Sequence, residues 1–266
     1  MAEQKWLIEG EKHIELGPIR RLKVSLVAGQ VDIIAHDEPT TVIEVHSVHG
    51  KGLKIVADGD SLVIDHPQLS WDNFIDVFRS FTGSAKADVS VLVPRDVALT
   101  FGVVSASALI SGLREDASIS TVSGELVVDG IVGDLRLNSV SGEVNVRDHT
   151  GAVHVNTVNG DVTVTGGVTV LAADGVSSNV FLDLSGTPDT VRVNTVSGAV
   201  TARLAPAVAA QYKINTVGGR IHLDDSEISG ARGGYTGRYG SLDETWVDFR
   251  ANTVSGDVSV LHAVSA

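Results

Sequence analysis

The chain has 266 residues, a formal net charge of −13 and no cysteine, and these three properties exclude several classes of protein. Without cysteine there is no disulfide framework, no thiolate metal site and no thiol nucleophile, as is typical of a reducing compartment. The acidic balance argues against a nucleic-acid-binding protein, whose surface carries a basic excess. At this length the chain can fold as one large all-β domain with a sizeable core.

The amino terminus carries no sign of export or membrane insertion. Charged residues occur within the first ten positions, where a signal peptide needs an apolar run. No stretch of the chain approaches the roughly 20 apolar residues of a membrane-spanning helix. We therefore expect a cytoplasmic protein without an integral membrane segment.

Residues 1 to about 66 form short runs in which apolar and polar residues alternate, as at Leu22, Val24 and Leu26. Glycine, aspartate and proline separate these runs, for example at 58–60. The two-residue period predicts β-strands joined by turns. We expect residues 1–100 to form the less regular coils of one continuous β structure.

An aromatic segment over residues 71–81 interrupts the strands. Trp71, Phe74 and Phe78 recur at the spacing of one helical face, with polar and charged residues between them. The segment predicts one short amphipathic helix, which either covers the flank or an end of the fold or forms an interaction surface. A membrane-surface role is disfavoured, because the polar face lacks the lysines and arginines of such helices. Trp71, Phe74 and Phe78 are nevertheless candidate interaction residues.

A short motif recurs over residues 101–266, with the consensus Asn-Thr-Val-Ser-Gly followed by an acidic residue. Its first three glycines are 18 residues apart, and a degenerate copy at 174–178 keeps this spacing. The intervals then lengthen, and the last one contains a glycine-rich insertion at 225–246. Eighteen residues hold two strands and two turns but not a βαβ unit. The motif glycines are Gly124, Gly142, Gly160, Gly198, Gly219 and Gly256.

These repeats predict a single-domain parallel β-helix, or β-solenoid, over residues 1–266. Each coil contains two strands, and because one coil cannot bury its apolar face alone, the coils must stack on one another. Right-handed winding follows from the usual chirality of parallel crossovers. We expect the valine of the motif, such as Val158, to face the core together with Val155.

Stacking in register turns each motif position into a column of like residues. The asparagine can hydrogen-bond to the turn backbone and to the asparagine of the next coil, which is a structural role. The glycine is expected to supply a positive φ or a close approach of two backbones. The predicted structural ladder therefore consists of the motif glycines and of Asn138, Asn156, Asn194, Asn215 and Asn252.

Two lines of charge flank these columns. A basic line lies two residues before the asparagine, and an acidic line lies directly after the glycine. They are either two solvated faces, which the sequence favours, or a surface for a charged polymer or a partner protein. The basic line is Arg136, His154, Ala172, Arg192, Lys213 and Arg250, and the acidic line is Glu125, Glu143, Asp161, Ala199, Arg220 and Asp257.

The insertion at 225–246 separates the last two copies of the motif. It lacks the Lys-Ser/Thr ending of a phosphate-binding loop, and it leads into a strand rather than a helix. We interpret it as a flexible loop that protrudes between two coils. Arg232, Tyr235, Arg238 and Tyr239 make it the second candidate interaction surface.

Nothing in the sequence points to catalysis. The nine histidines are scattered, and the nearest pair, His46 and His49, lacks an acidic residue at the spacing of a zinc site. No serine lies in a Gly-x-Ser-x-Gly elbow. The repeats also lack the clustered acids and the aromatics of β-helices that cleave polysaccharides. We expect no catalytic residue, no metal and no cofactor.

The repeated Val-Asn-Thr-Val-Ser-Gly-Asp-Val run, the upstream segment 28–33 and the closing copy at 251–258 resemble the DUF4097 family of bacterial "putative adhesin" or β-strand repeat proteins. The resemblance covers nearly the whole chain. It implies a β-solenoid and an adhesin-like role, and it brings no catalytic residues. The segment 104–107 departs from the pattern, since a Ser-Gly copy is expected there.

Our leading hypothesis is a non-enzymatic β-solenoid that acts as a structural or interaction module. Its partner is expected to be another protein or a second copy of itself in a homo-oligomer. The reason is that the last coil, after Leu261, leaves little chain to cover its edge, unless the insertion at 225–246 folds over it. The alternative is a carbohydrate-binding or polysaccharide-active β-helix. We expect no nucleic-acid partner.

Overall fold

The computed structural model describes residues 3–66, 85–206, 208–228 and 234–264. These described residues form β-strands and the turns that join them, and they contain no helix. The all-β prediction is therefore confirmed. The predicted helix over residues 71–81 lies outside the described residues.

The chain divides into two compact units, Met1–Gly133 and Asp134–Ala266. The prediction of one single domain over residues 1–266 stays a prediction. In the first unit, two long bent strands, β3 and β8, pair along nearly their whole length. The strands of this unit are β1 (Gln4–Ile8), β2 (Lys12–Leu16), β3 (Arg21–His36), β4 (Thr41–Gly50), β5 (Leu53–Asp58), β6 (Ser61–Asp65), β7 (Ala85–Pro94), β8 (Ala98–Ser111), β9 (Ala117–Ser123) and β10 (Leu126–Asp129).

Parallel pairing in the first unit is confined to the strands around β3 and β8. β6 and β7 pair in parallel with successive halves of β3, and β9 and β10 pair in parallel with successive halves of β8. By contrast, β1, β2, β4 and β5 pair antiparallel with their neighbours. Only Gly59 and Asp60 join β5 to β6, and a two-residue connection allows only an antiparallel hairpin. The parallel prediction therefore does not extend to these four strands.

The second unit consists of parallel coils that contribute strands to two sheets. In sheet A the strand order is β11, the second half of β12, the second half of β13, β15, β21, β17 and β20. In sheet B the order is the first halves of β12 and β13, then β14, β16, β22, β18 and β19. The bounds are β11 (Leu135–Ser141), β12 (Val144–Asn159), β13 (Val162–Ser177), β14 (Val180–Leu184), β15 (Thr190–Thr195), β16 (Val200–Leu204), β17 (Ala209–Thr216), β18 (Ile221–Leu223), β19 (Ser226–Glu227), β20 (Tyr235–Tyr239), β21 (Trp246–Thr253) and β22 (Val258–His262).

The last coil of the chain does not lie at the end of the stack. β21 lies between β15 and β17, and β22 lies between β16 and β18, so the last coil is inserted between its two predecessors. The edge beyond β17 is covered by β20, which comes from the insertion and pairs antiparallel with β17. The expectation of a poorly covered edge after Leu261 was therefore wrong. Instead, the insertion covers β17, the sheet A strand of the coil that comes directly before the last one in sequence.

The valine of the motif points away from the core. Val158 is 50% exposed, whereas Thr157 before it is buried, as is Val155. The reason is that β12 continues to Asn159, so the in-and-out alternation of a strand runs through the motif. The expectation that Val158 faces inward was wrong. The other half-exposed or more exposed motif valines of this unit are Val140, Val176, Val196, Val217 and Val254.

In the copy of the motif at 194–198, the buried threonine is hydrogen-bonded to the turn. The hydroxyl of Thr195 donates to the carbonyl oxygen of Ser197 at 3.0 Å, so a polar group inside the coil is hydrogen-bonded to its own turn. The glycine of the motif is required for two reasons, as Gly160 shows: a side chain has no room there, and φ is positive. Gly160 has a φ of 126°, and a Cβ there would lie 2.0 Å from the carbonyl oxygen of Gly142 in the adjacent coil.

Candidate functional site

Three cationic side chains lie in one row on the outer side of sheet A. The register pairs Arg192 of β15 with Arg250 of β21, and Arg250 with Lys213 of β17. Neighbouring strands are about 4.8 Å apart, so the three residues follow one another at that spacing. Their neighbours along each strand, such as Val193 and Ile214, are buried, which directs the cations to solvent. We name Arg192, Arg250 and Lys213 the cation row.

A fourth cation, Arg238, comes from the insertion. β20 pairs antiparallel with β17, and Arg238 is directly opposite Gln211, which is exposed. Directly opposed residues of an antiparallel pair lie on the same face of the sheet. Arg238 is therefore on the same face as Lys213, which lies two residues from Gln211 on β17. We name the cation row and Arg238 together the basic face.

Most of the charge on the basic face is not neutralised within the fold. Asp248 binds Arg250 through both carboxylate oxygens, at 3.0 and 2.5 Å. Among the described residues, no carboxylate forms an ion pair with Arg192, Lys213 or Arg238. Three positive charges thus remain available on this face of a chain whose net charge is −13.

A row of asparagine amides runs beside the cation row. Asn215 donates an N–H to Asn252, and Asn252 donates to Asn194, each over 2.7 Å. Asn194 then donates to the carboxylate of Asp174, also over 2.7 Å, and this acid ends the run of amides. We name Asn194, Asn252 and Asn215 the amide row. Together the two rows line a shallow depression of about 270 Å³.

The glycine directly before β20, Gly234, lies close against the end of the amide row. A Cβ on Gly234 would lie 2.6 Å from the side-chain oxygen of Asn215, closer than real Cβ contacts come. Any larger residue at position 234 would therefore displace the amide. The depression itself is lined by residues of the coils that contain β15, β21 and β17.

The described residues of the second predicted interaction surface lie on two opposite faces of β20. The segment 235–239 is a strand rather than part of a protruding loop, because its backbone pairs with β17. Arg238 joins the basic face, while Tyr235 and Tyr239 lie on the opposite side of β20. Tyr239 stacks on the imidazole of His262 with ring centroids 3.8 Å apart. The remaining candidates, Trp71, Phe74, Phe78 and Arg232, lie outside the described residues.

The acidic line predicted from sequence is largely engaged within the fold. Asn179 donates to the carboxylate of Asp161 at 2.9 Å. The backbone N–H of Arg220 donates to Asp257 at 2.8 Å, and its guanidinium donates at 3.0 Å. These two contacts lower the pKa of the Asp257 carboxyl group. At Asp161 and Asp257, therefore, the line connects adjacent coils.

The order of the cations on the basic face could not be predicted from the sequence. Arg192, Lys213 and Arg250 stand in the predicted basic line, but sequence order places Lys213 between the two arginines. Only the insertion of β21 between β15 and β17 makes Arg250 the central member and brings its partner Asp248 with it. The one available signal was the aspartate two residues before Arg250, which predicts local neutralisation there and none at Arg192 or Lys213.

Two further classes of site are absent from the part of the chain that the structure describes. No cluster there holds three or more histidine or carboxylate side chains in an arrangement that could bind a metal ion. None of the described residues belongs to a helix of the length and apolarity that crossing a membrane requires.

Comparisons with known proteins agree with the repeat pattern. The sequence profile of the family described as Toastrack DUF4097 matches residues 19–261. Among solved structures, the chain is similar to a "putative cell adhesion protein" from Clostridium sporogenes, with 11% identity and a TM-score of 0.34, over 95% of this chain and 100% of the other. It is also similar to a "putative adhesin" from Bacteroides fragilis, with 10% identity and a TM-score of 0.40, over 95% and 97%. No curated protein matched.

Proposed function

The chain belongs to the Toastrack DUF4097 family, and we propose that it is a non-enzymatic interaction domain that binds an anionic partner through the basic face. The stacked coils serve as a rigid scaffold, because every strand of sheet A is held by backbone hydrogen bonds to its neighbours. The side chains of the cation row project from that scaffold at fixed spacing. Because the backbone that carries the cations is already ordered, binding of an anion needs to order only their side chains, which favours affinity.

One observation carries this proposal: the cation row contains like charges directly opposite one another on adjacent strands. Such pairs are destabilising in sheets. Arg192 and Lys213 nevertheless flank Arg250, and only Arg250 has an acidic partner among the described residues. An anion that occupies the depression would relieve this repulsion. Binding thus offers a reason for an arrangement that folding alone disfavours.

The chemistry of the face supports binding rather than catalysis. Guanidinium, ammonium and carboxamide groups donate hydrogen bonds to anions and to hydroxyl groups. Neither a hydroxyl nucleophile nor a histidine base belongs to the two rows. Within the described ranges, Asp248 is the only carboxylate paired with the cation row, and Arg250 occupies both of its oxygens. The proposed function therefore needs no catalytic residue.

Charge reversal tests the proposal. The full-length chain is titrated with dextran sulfate and with poly-L-glutamate at low and at high salt. We expect binding that weakens with salt and that is lost when Arg192, Lys213 and Arg238, the cations of the basic face without an ion-pair partner among the described residues, are all replaced by glutamate. The control is Arg203→Gln, since Arg203 lies on β16 of sheet B and pairs there with Asp183. Unchanged binding after the charge reversal would refute the proposal.

Self-association is the second candidate function, and one observation favours it. β20 pairs with β17 along one side, and among the described residues no strand pairs with its other side. An exposed edge of this kind can accept a strand from a second copy. Light scattering over a concentration series tests this candidate, and a monomer at the highest concentration would remove it.

A further inference from the structure

Building on the proposed function, we infer that the anionic partner is an acidic polysaccharide. Its acid groups would bind the cation row, and its sugar hydroxyl groups would bind the amide row. The inference depends on the two rows being parallel and on the different chemistry that each row offers. It names the ligand class of the basic face, which the proposed function leaves open.

The geometry requires a ligand with two chemically different edges. Both rows run across the strands of sheet A, from β15 through β21 to β17. Each asparagine of the amide row lies two residues after a cation on the same strand, so the rows are roughly 6.6 Å apart. A ligand lying in the depression therefore meets charges along one side and amides along the other.

The amide row is suited to hydroxyl groups in particular. Asn252 uses one N–H to bind Asn194 and accepts one hydrogen bond from Asn215. A carboxamide has two N–H groups and two lone pairs on its oxygen, so one donor and one acceptor remain. A hydroxyl group also both donates and accepts, and it can satisfy both at once. A carboxylate can satisfy only the donor.

Other polyanions fit the two rows less well. An extended acidic peptide places side chains of one face about 6.7 Å apart, which does not match the roughly 4.8 Å between strands. Its own backbone groups would pair better with a sheet edge than with a sheet face. Single-stranded nucleic acid is bound largely by stacking on aromatic rings. Of the described aromatics of the insertion, Tyr235 and Tyr239 lie on the opposite side of β20 from the basic face. Trp246 lies on the same face of β21 as Arg250 but four residues before it, roughly 13 Å away along the strand, so it does not border the two rows.

The length of the site is limited by Asp174. This carboxylate follows Asn194 in the ladder and would repel an acidic ligand. Favourable contacts therefore span three strands, β15, β21 and β17, and continue toward Arg238 on β20. The site thus holds a short segment of the polymer, and longer chains bind more tightly only by offering more such segments.

The test compares polymers that differ in one property. Polygalacturonate carries a carboxylate and hydroxyl groups on each sugar, its methyl ester lacks the charge, and poly-L-glutamate carries the charge without sugar hydroxyls. Dextran sulfate distinguishes sulfate from carboxylate as the acid group. The wild-type chain should bind at least one acidic polysaccharide about tenfold or more tightly than poly-L-glutamate of equal charge, and the methyl ester weakly.

Variants assign the contacts to the two rows. Arg192→Gln with Lys213→Gln should weaken the binding of every polyanion by about tenfold or more. Asn252→Ala should weaken acidic polysaccharide by about three- to tenfold and poly-L-glutamate clearly less, because a carboxylate can use only the free N–H of the amide. Asn156→Ala is the matched control, because Asn156 belongs to the same ladder, hydrogen-bonded to Asn138, but lies away from the cation row. Asn194→Ala serves as a second variant if Asn252→Ala does not fold.

The outcomes separate this inference from the proposed function. If poly-L-glutamate binds as tightly as the polysaccharides, or if Asn252→Ala weakens both equally, the basic face is a general anion site and the polysaccharide inference is overturned. If no polyanion binds, or if the double glutamine variant binds as well as the wild type, both are overturned. Preferential, amide-dependent binding of polysaccharide supports both.

Discussion

The ring of Tyr239 stacks on the imidazole of His262, with centroids 3.8 Å apart and 18° between the ring planes. The contact joins the insertion to the end of β22. Nδ1 of His262 lies 3.1 Å from the carboxylate of Asp224, and Nε2 lies 3.0 Å from the carbonyl oxygen of Val208. The histidine is thus held on both edges while the tyrosine covers its face. The contact attaches β20, which carries Arg238, to β22 of the last coil.

Removal of the Tyr239 ring is expected to loosen this attachment. Tyr239→Ala should lower the free energy of unfolding by about 2 kcal/mol, through lost ring stacking and lost apolar burial. Tyr239→Phe keeps the ring and should cost less than about 0.5 kcal/mol. Urea unfolding followed by circular dichroism measures both. Equal losses for the two variants would show that the hydroxyl group matters rather than the stack.

The orientation of the motif can be tested with a pair of threonine substitutions. Val155→Thr places a hydroxyl group in the core and should destabilise the fold by about 1–3 kcal/mol. Val158→Thr alters a half-exposed side chain and should change the free energy of unfolding by no more than about 0.5 kcal/mol. Chemical denaturation provides the comparison. The reverse ranking would place Val158 in the core and contradict the structure.

The close approach of stacked glycines predicts a large effect of one methyl group. Gly160→Ala should cost about 3 kcal/mol or more, because Cβ would lie 2.0 Å from the carbonyl oxygen of Gly142 and φ is 126°. Gly167→Ala is the control, since its Cβ would meet nothing closer than 3.8 Å. Thermal unfolding distinguishes them. Similar midpoints for the two variants would argue against tight stacking at Gly160.

The order of the coils can be tested by cross-linking, which the absence of native cysteine makes unambiguous. Asn194 and Asn252 are in register on adjacent strands, about 4.8 Å apart, so a cysteine pair at these positions should form a disulfide on oxidation. Asn194 and Asn215 are two strands apart, roughly 9.6 Å, and a cysteine pair there should not. Mass spectrometry identifies the linkage. A disulfide between positions 194 and 215 would show that β15 and β17 are adjacent, with the coils stacked in sequence order, and would contradict the structure.

Burial of His66 predicts a pH dependence of stability. The ring is 1% exposed, its Nδ1 accepts the backbone N–H of Val27 at 3.2 Å, and burial lowers its pKa to about 4. In the unfolded chain the pKa returns to about 6.5, so the unfolded state binds a proton first as pH falls. The contribution of neutral His66 is therefore complete above pH 6.5 and is lost between pH 6.5 and 4.

The measurement uses a variant that cannot titrate. Between pH 7 and pH 5 the wild-type chain should lose about 2 kcal/mol more of its unfolding free energy than His66→Gln, whose amide oxygen can still accept a hydrogen bond. The difference between the two pH profiles of unfolding free energy isolates the contribution of His66, because the other histidines contribute equally to both chains. Parallel pH profiles would mean that His66 is protonated in the folded state.

Side-chain direction within the coils could be predicted from sequence, but only where the strand was recognised. Val155 was expected inside and is buried. Val158 was misplaced because its motif was read as a turn, whereas β12 runs through it to Asn159. Alternation along a strand depends only on neighbouring residues. Once the strand bounds are known, the sequence by itself therefore determines which side chains face the core.

The place of the last coil was decided only by the tertiary structure. The motif at Asn252 resembles those at Asn194 and Asn215, so the repeat pattern does not specify on which side of the coil that contains β17 the last coil stacks. The 36 residues between Gly219 and Gly256 are long enough to reach both places. Sequence thus determined the coils, their glycine and asparagine columns and the cations. Contacts between distant segments determined that Arg250 lies between Arg192 and Lys213, because neighbours across a sheet are selected by packing rather than by sequence order.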